Sequence, residues 1–192
     1  GGVNSGLYAL AANGSTVYAA GAFALAGGSF VNSVAQWNGS NWSAMGGGLN
    51  HEVYSFPSPN SLAMIGSDLY VGGSYSVASG VVAKNIAKWN GSSWSALGSG
   101  ASDLSGNGGV YALAPIGSVL YAGGNFVLAG GKVSAYIGSW QTAPVSTGNL
   151  ALPNTASASS GGLTLGGAPF LNNFGTQNAF VGTNAGNFSM TG

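Results

Sequence analysis

A catalytic reading of this chain has few residues to work with. One histidine, His51, stands beside Glu52; the other carboxylates are Asp68 and Asp103, and the cations are Lys84, Lys88 and Lys132. Metal sites need three or four ligands, and His51 with Glu52 supplies two, so the pair reads as a polar loop. A two-carboxylate glycosidase needs its acids within about 5–10 Å, whereas Asp68 and Asp103 lie far apart in sequence. No motif supports the single histidine as the base of a Ser-His-Asp triad. The absence of cysteine removes thiol nucleophiles, Cys-type metal sites and disulfides. Gly46-Gly47-Gly48 and Gly106-Asn107-Gly108-Gly109 lack the following helix and Lys-Ser/Thr pair of a phosphate loop. The expectation is a protein that is not an enzyme and takes no metal and no cofactor.

Binding is better served than catalysis. Trp37, Trp42, Trp89 and Trp94 could form platforms on which sugar rings stack. Packing competes for the same residues, because a buried Trp hides its faces and hydrogen-bonds its indole N–H. Their recurrence at one place in each repeat favours packing.

The elements that must position these residues follow a period. Tyr18, Tyr70 and Tyr121 are 52 and 51 residues apart, and Trp37, Trp89 and Trp140 give the same two steps. A period near 50 belongs to all-β repeat architectures. Thirty-six glycines disfavour helices at about 1 kcal/mol per interior position. Short runs of Val, Tyr, Phe, Trp and Ala between Asn-Gly and Gly-Ser read instead as strands and hairpins.

Four strands are expected per repeat. The first covers residues 7–11, matched by 53–56 and 110–114; the second covers 16–24, matched by 68–77 and 119–128. The third is 33–37, and Asn38-Gly39 turns it into the fourth, 42–45. Asn-Gly suits a type I′ turn, since both residues accept positive φ, and Trp37 and Trp42 flank it where cross-strand packing can fix the register. Glycines within the second strand predict a bulge or a close backbone approach. The third repeat has Trp140 but no Asn-Gly-Ser-x-Trp after it, so its fourth strand is missing.

Four short antiparallel strands per repeat describe a propeller blade. Residues 3–140 resemble kelch-type and related bacterial propeller repeats, with Gly-Gly after the second strand and spaced aromatics. The fold expected is all-β: three four-stranded propeller-type repeats of about 51 residues, the third incomplete, followed by a β-rich tail. Closed propellers take four to eight blades, so a three-sided β-prism is the alternative. The domains are expected at 1–140 and 141–192.

Beyond Trp140 the texture changes. Residues 141–144 read as a linker and 155–162 as a loose Ser/Ala/Gly stretch; between them Asn149-Leu150-Ala151-Leu152-Pro153 alternates like a strand. Residues 161–167 suggest a hairpin. The phrases Ala168-Pro169-Phe170-Leu171-Asn172-Asn173-Phe174-Gly175 and Asn178-Ala179-Phe180-Val181-Gly182-Thr183-Asn184-Ala185-Gly186-Asn187 resemble segments of bacterial surface-fibre and phage tail-fibre proteins, over about 149–192. That resemblance implies an elongated, self-associating protein outside the cell.

Charge points the same way. Charged residues make up 3% of the chain and cancel to zero, against about 25% in ordinary soluble domains. Copies therefore do not repel, and there is no basic patch for nucleic acid. No apolar run is long enough for a membrane span. The start at Gly1-Gly2-Val3 and the end at Met190-Thr191-Gly192 suggest a mature piece or a fragment of something longer.

The expected function is that of a secreted structural subunit of an extracellular fibre on the bacterial surface. Its candidate assembly residues are Leu150, Leu152, Phe170, Phe174, Phe180 and Phe188, which could add a strand to an open sheet edge of another copy. Its partner is itself, in a filament or a trimeric fibre. The alternative is a carbohydrate-binding adhesin that uses the tryptophans on glycans.

Overall fold

The computed structural model describes residues 1–51, 57–106, 108–142, 162–165 and 168–172. Among them every regular element is a β-strand, and many short antiparallel strands form several small sheets.

In the first large sheet, β1 (Leu7–Asn13) turns back as β2 (Thr16–Gly21). A small hairpin of β3 (Leu25–Ala26) and β4 (Ser29–Phe30) follows. Then β5 (Val34–Trp37) returns to pair with β2, and β6 (Trp42–Ala44) completes the order β1-β2-β5-β6. The chain leaves through β7 (Leu49–Asn50). The second large sheet repeats this course with β8 (Ser58–Ile65), β9 (Asp68–Ser74), the small pair β10 (Val77–Ala78) and β11 (Val81–Val82), β12 (Ile86–Trp89) and β13 (Trp94–Ala96), in the order β8-β9-β12-β13. After β14 (Ala101–Ser102) come β15 (Val110–Ile116), β16 (Val119–Gly124), the small pair β17 (Leu128–Ala129) and β18 (Lys132–Val133), and β19 (Ile137–Gln141). The third large sheet has three strands, β15-β16-β19. A separate hairpin joins β20 (Gly162–Leu165) to β21 (Ala168–Asn172). The chain divides into two compact parts, Gly1–Thr147 and Gly148–Gly192.

The strand expected at 53–56 lies outside the described residues, and β9 pairs with Ser58–Ile65. Ser58-Pro59-Asn60-Ser61 reads as a loop, yet Pro59 is tolerated because the ladder bulges between Pro59 and Ser61. The same irregularity recurs between Leu7 and Ala9 and between Val110 and Ala112. Opposite each bulge sits a glycine whose absent Cβ makes room: one added to Gly21, Gly73 or Gly124 would lie 2.1, 2.4 or 1.9 Å from the carbonyl oxygen of Gly6, Ser58 or Gly109, at or just before the start of the first strand. The close approach expected from the glycines is present, with the bulge on the neighbouring strand.

Trp37 pairs with Trp42 and Trp89 with Trp94, as the flanking aromatics predict. The turn between them differs from the type I′ expected. Only Gly39 and Gly91 take positive φ, 96° and 97°, at the first central position, as in type II′. Asn38 uses its side chain instead: Oδ1 accepts from the backbone N–H of Ser40 and Asn41 at 3.0 and 2.8 Å.

The large sheets pack face against face, with the first strands β1, β8 and β15 in sequence and β8 in the middle. Each sheet has a front, carrying the residues equivalent to Leu10, Val17 and Trp37, and a back, carrying those equivalent to Ala11, Tyr18 and Val34. Tyr18 and Val34 on the first back bury Leu69, Val71, Trp89 and Trp94 on the second front. Tyr70 and Ile86 on the second back bury Leu120 and Ala122 on the third front. Short connecting strands stitch neighbours together: β7 pairs with β10 and β14 with β17, while Val3 bridges to Ala26 in the corresponding place.

Candidate functional site

The surfaces that could bind are those the stacking leaves open. At one end is the front of the first large sheet. Leu10 there is 59% exposed. With Val17, Ala19, Trp37, Trp42 and Val3 it lines an apolar groove of about 460 Å³. At the other end is the back of the third large sheet, where Tyr121 is 38% and Ile137 62% exposed. Tyr111 on the same sheet, Val133 in its small hairpin and Tyr136 just before β19 are exposed as well. Tyr136 also holds a left-handed φ of 67°, at the place where Ser33 and Asn85 hold 70° and 64°. An aromatic side chain rarely adopts this conformation. Asn85 is suited to it and makes use of it: buried, it accepts from Tyr75 N–H at 3.0 Å and donates to the Ala101 carbonyl at 2.7 Å, tying the second sheet to the next connecting strand.

The second open feature is an edge. In the first two large sheets the third strand is covered by β6 or β13, whereas among the described residues no strand pairs with the outer side of β19. Its backbone N–H and C=O groups on that side are available to another strand.

The four tryptophans separate into two environments. Trp37 and Trp42 stand with ring centroids 5.5 Å apart, tilted by 50°, half-buried beside the groove. Trp89 and Trp94 keep the same geometry at 5.3 Å and 49° but are only 4% and 6% exposed, so they offer no ring face to a sugar. The indole N–H of Trp94 donates to the Met45 carbonyl at 2.7 Å, and that of Trp42 to the Gly1 carbonyl at 3.1 Å. The third sheet has no counterpart of Trp94, and Trp140 takes its place by donating to the Leu97 carbonyl at 3.1 Å. Trp89 Nε1 is buried without a hydrogen-bond partner among the described residues, a loss of about 1–3 kcal/mol.

Of the candidate assembly residues, Leu150, Leu152, Phe174, Phe180 and Phe188 lie outside the described residues, and Phe170 falls within β21. No group of three or more His, Asp or Glu able to hold a metal occurs among the described residues, and no helix long and apolar enough to cross a membrane occurs among them. Lys88 pairs with Asp68 at 3.0 Å with both side chains partly open to solvent, a contact worth under about 1 kcal/mol. Burial pushes the Tyr75 phenol well above its usual 10.0 and raises that of Tyr70.

Sequence reasoning did not single out Leu10, Tyr121, Tyr136 or Ile137. The period does align Tyr121 with Tyr18 and Tyr70, and Ile137 with Val34 and Ile86, but their exposure depends on which faces find neighbours. No known family model matches the chain, and no curated protein shows significant similarity to it.

Proposed function

We propose that the chain is a structural, self-associating protein of an extracellular fibre. In this reading three propeller-type modules of about 51 residues form a rigid array, and the C-terminal part supplies a strand to another copy. The observation that carries it is that, among the described residues, no strand pairs with the outer edge of β19, where the first two large sheets have β6 and β13. A strand added there would regain the ladder that an exposed edge lacks. Passed from copy to copy, such a contact is heterologous and grows a filament. The near absence of charge and the resemblance of residues 149–192 to fibre segments support the same reading and, with it, an extracellular location. Negative-stain microscopy of the full chain beside one ending at Thr147 tests it. Filaments from the full chain alone are expected; filaments from both would sink strand addition by the tail.

The second reading, a carbohydrate-binding adhesin, is favoured by the half-open Trp37–Trp42 pair beside an apolar groove. Quenching of tryptophan fluorescence by sugars, abolished by Trp37→Ala with the fold retained, would support it.

A further inference from the structure

We propose that the front of the first large sheet, around Leu10, Val17 and Trp37, docks the back of the third large sheet, around Ala114, Tyr121 and Ile137, of a second copy of this chain. The molecule contains this contact twice already. Fronts carry Leu10, Leu62 and Leu113 in turn, with Val17, Leu69 and Leu120 beside them; backs carry Tyr18, Tyr70 and Tyr121, with Val34, Ile86 and Ile137. Where a front meets a back inside the chain, both are sealed: Leu69 and Leu120 are 0% exposed, Tyr18 and Tyr70 are 7% and 2%, and Val34 and Ile86 are 0%. The two unmatched faces carry the same residue types and are the two that remain open.

Shape and charge suit the pairing. The groove on the first front is apolar, and the first and second backs show what fills such a front: a tyrosine flanked by a β-branched side chain. The third back presents Tyr121 and Ile137 in the same register, with Ala114 where Ala11 and Ala63 stand. None of the residues named on either face is charged, so docking desolvates no ion. A front cannot pair with a front in this way, which makes the contact head-to-tail. It rests on the self-association reading above but is an alternative to strand addition, using sheet faces rather than the β19 edge or the tail.

The test uses the full chain and two substitutions at open positions outside β19, Leu10→Asp on the front and Tyr121→Asp on the back. Sedimentation velocity of the unmodified chain should show mass rising with concentration. Each variant alone should weaken association by about tenfold or more, because an unpaired carboxylate would be buried at every contact. Mixing the two should restore association, since the first still has an intact back and the second an intact front. Ala114→Glu, at an exposed position, repeats the back-face test should Tyr121→Asp melt early. A monomer at all concentrations, association unaffected by either variant, or variants that fail to complement each other would overturn the proposal. Association that survives both variants and is lost only on removal of residues 148–192 leaves strand addition standing and the face contact overturned. Association abolished by both variants, restored by mixing and indifferent to that removal gives the reverse.

Discussion

The second and third large sheets are built from nearly the same strands and live in different surroundings. Tyr70 and Ile86 are 2% and 0% exposed, while their counterparts Tyr121 and Ile137 are 38% and 62%. The second sheet has β13 on its outer side and Asn85 tying it onward; the third has no such strand among the described residues and carries Tyr136 in the same left-handed position. Local sequence dictates strands and turns, and neighbours decide which side chains become core.

The sharpest way to break this comparison is to truncate the paired residues. Ile86→Ala should cost about 2–5 kcal/mol, as fully buried aliphatic truncations do, whereas Ile137→Ala should cost less than about 1 kcal/mol in the isolated chain. Urea denaturation of the two variants checks this, and equal losses would mean that the third back is covered in solution.

The equivalent glycines Gly72 and Gly123 probe the same contrast with smaller effect. A Cβ on Gly72 would meet Val110 Cγ1 at 2.5 Å and Ser61 Oγ at 2.7 Å, while one on Gly123 meets nothing nearer than the Tyr136 carbonyl at 3.8 Å. Gly72→Ala should therefore destabilise by about 1–3 kcal/mol through overpacking. Gly123→Ala should be neutral or stabilise by up to about 1 kcal/mol, having reduced unfolded-chain entropy without strain. Thermal melts of the two variants distinguish these signs.

The smallest effect concerns pH. Tyr75 is buried at a position that Phe23 and Phe126 occupy in the other two sheets. Its folded pKa lies well above 10.0, so above that pH the unfolded phenol ionises while the folded one keeps its proton. The folded state thus loses stability as pH rises from about 10 toward the higher folded value. Tyr75→Phe should reduce that alkaline loss, with Tyr70 maintaining part of it. At neutral pH it should cost about 1 kcal/mol for the bond from Tyr75 Oη to the Val71 carbonyl. Urea midpoints at neutral and alkaline pH measure both.

The fold was legible where chemistry is local. Tyr and Trp spacing announced the period, and Trp-Asn-Gly-Ser-x-Trp set the pairing of Trp37 with Trp42. The first strand of the second sheet was misplaced because residues 53–56 look strand-like while Ser58-Pro59-Asn60-Ser61 does not, and only the bulge makes room for Pro59. The small hairpins escaped notice because two-residue strands have no periodicity to detect. The candidate site was largely hidden. Tyr18, Tyr70 and Tyr121 carry the same side chain in the same setting along the chain, and nothing local distinguishes the one left in water.

The indole bonds between sheets bear on how the chain acquires its structure. Trp94 reaches back 49 residues to Met45, and Trp140 reaches 43 residues to Leu97. A chain growing from its N-terminus can assemble the first sheet early, but the Met45 carbonyl waits for Trp94, and Leu97 waits for Trp140. Folding would then advance as a ratchet, each new sheet locking the connector behind it, as nearest-neighbour arrays propagate from a nucleus. A pause in synthesis between Met45 and Trp94 would leave an unlocked intermediate with a bare apolar back, the kind of species a chaperone would recognise.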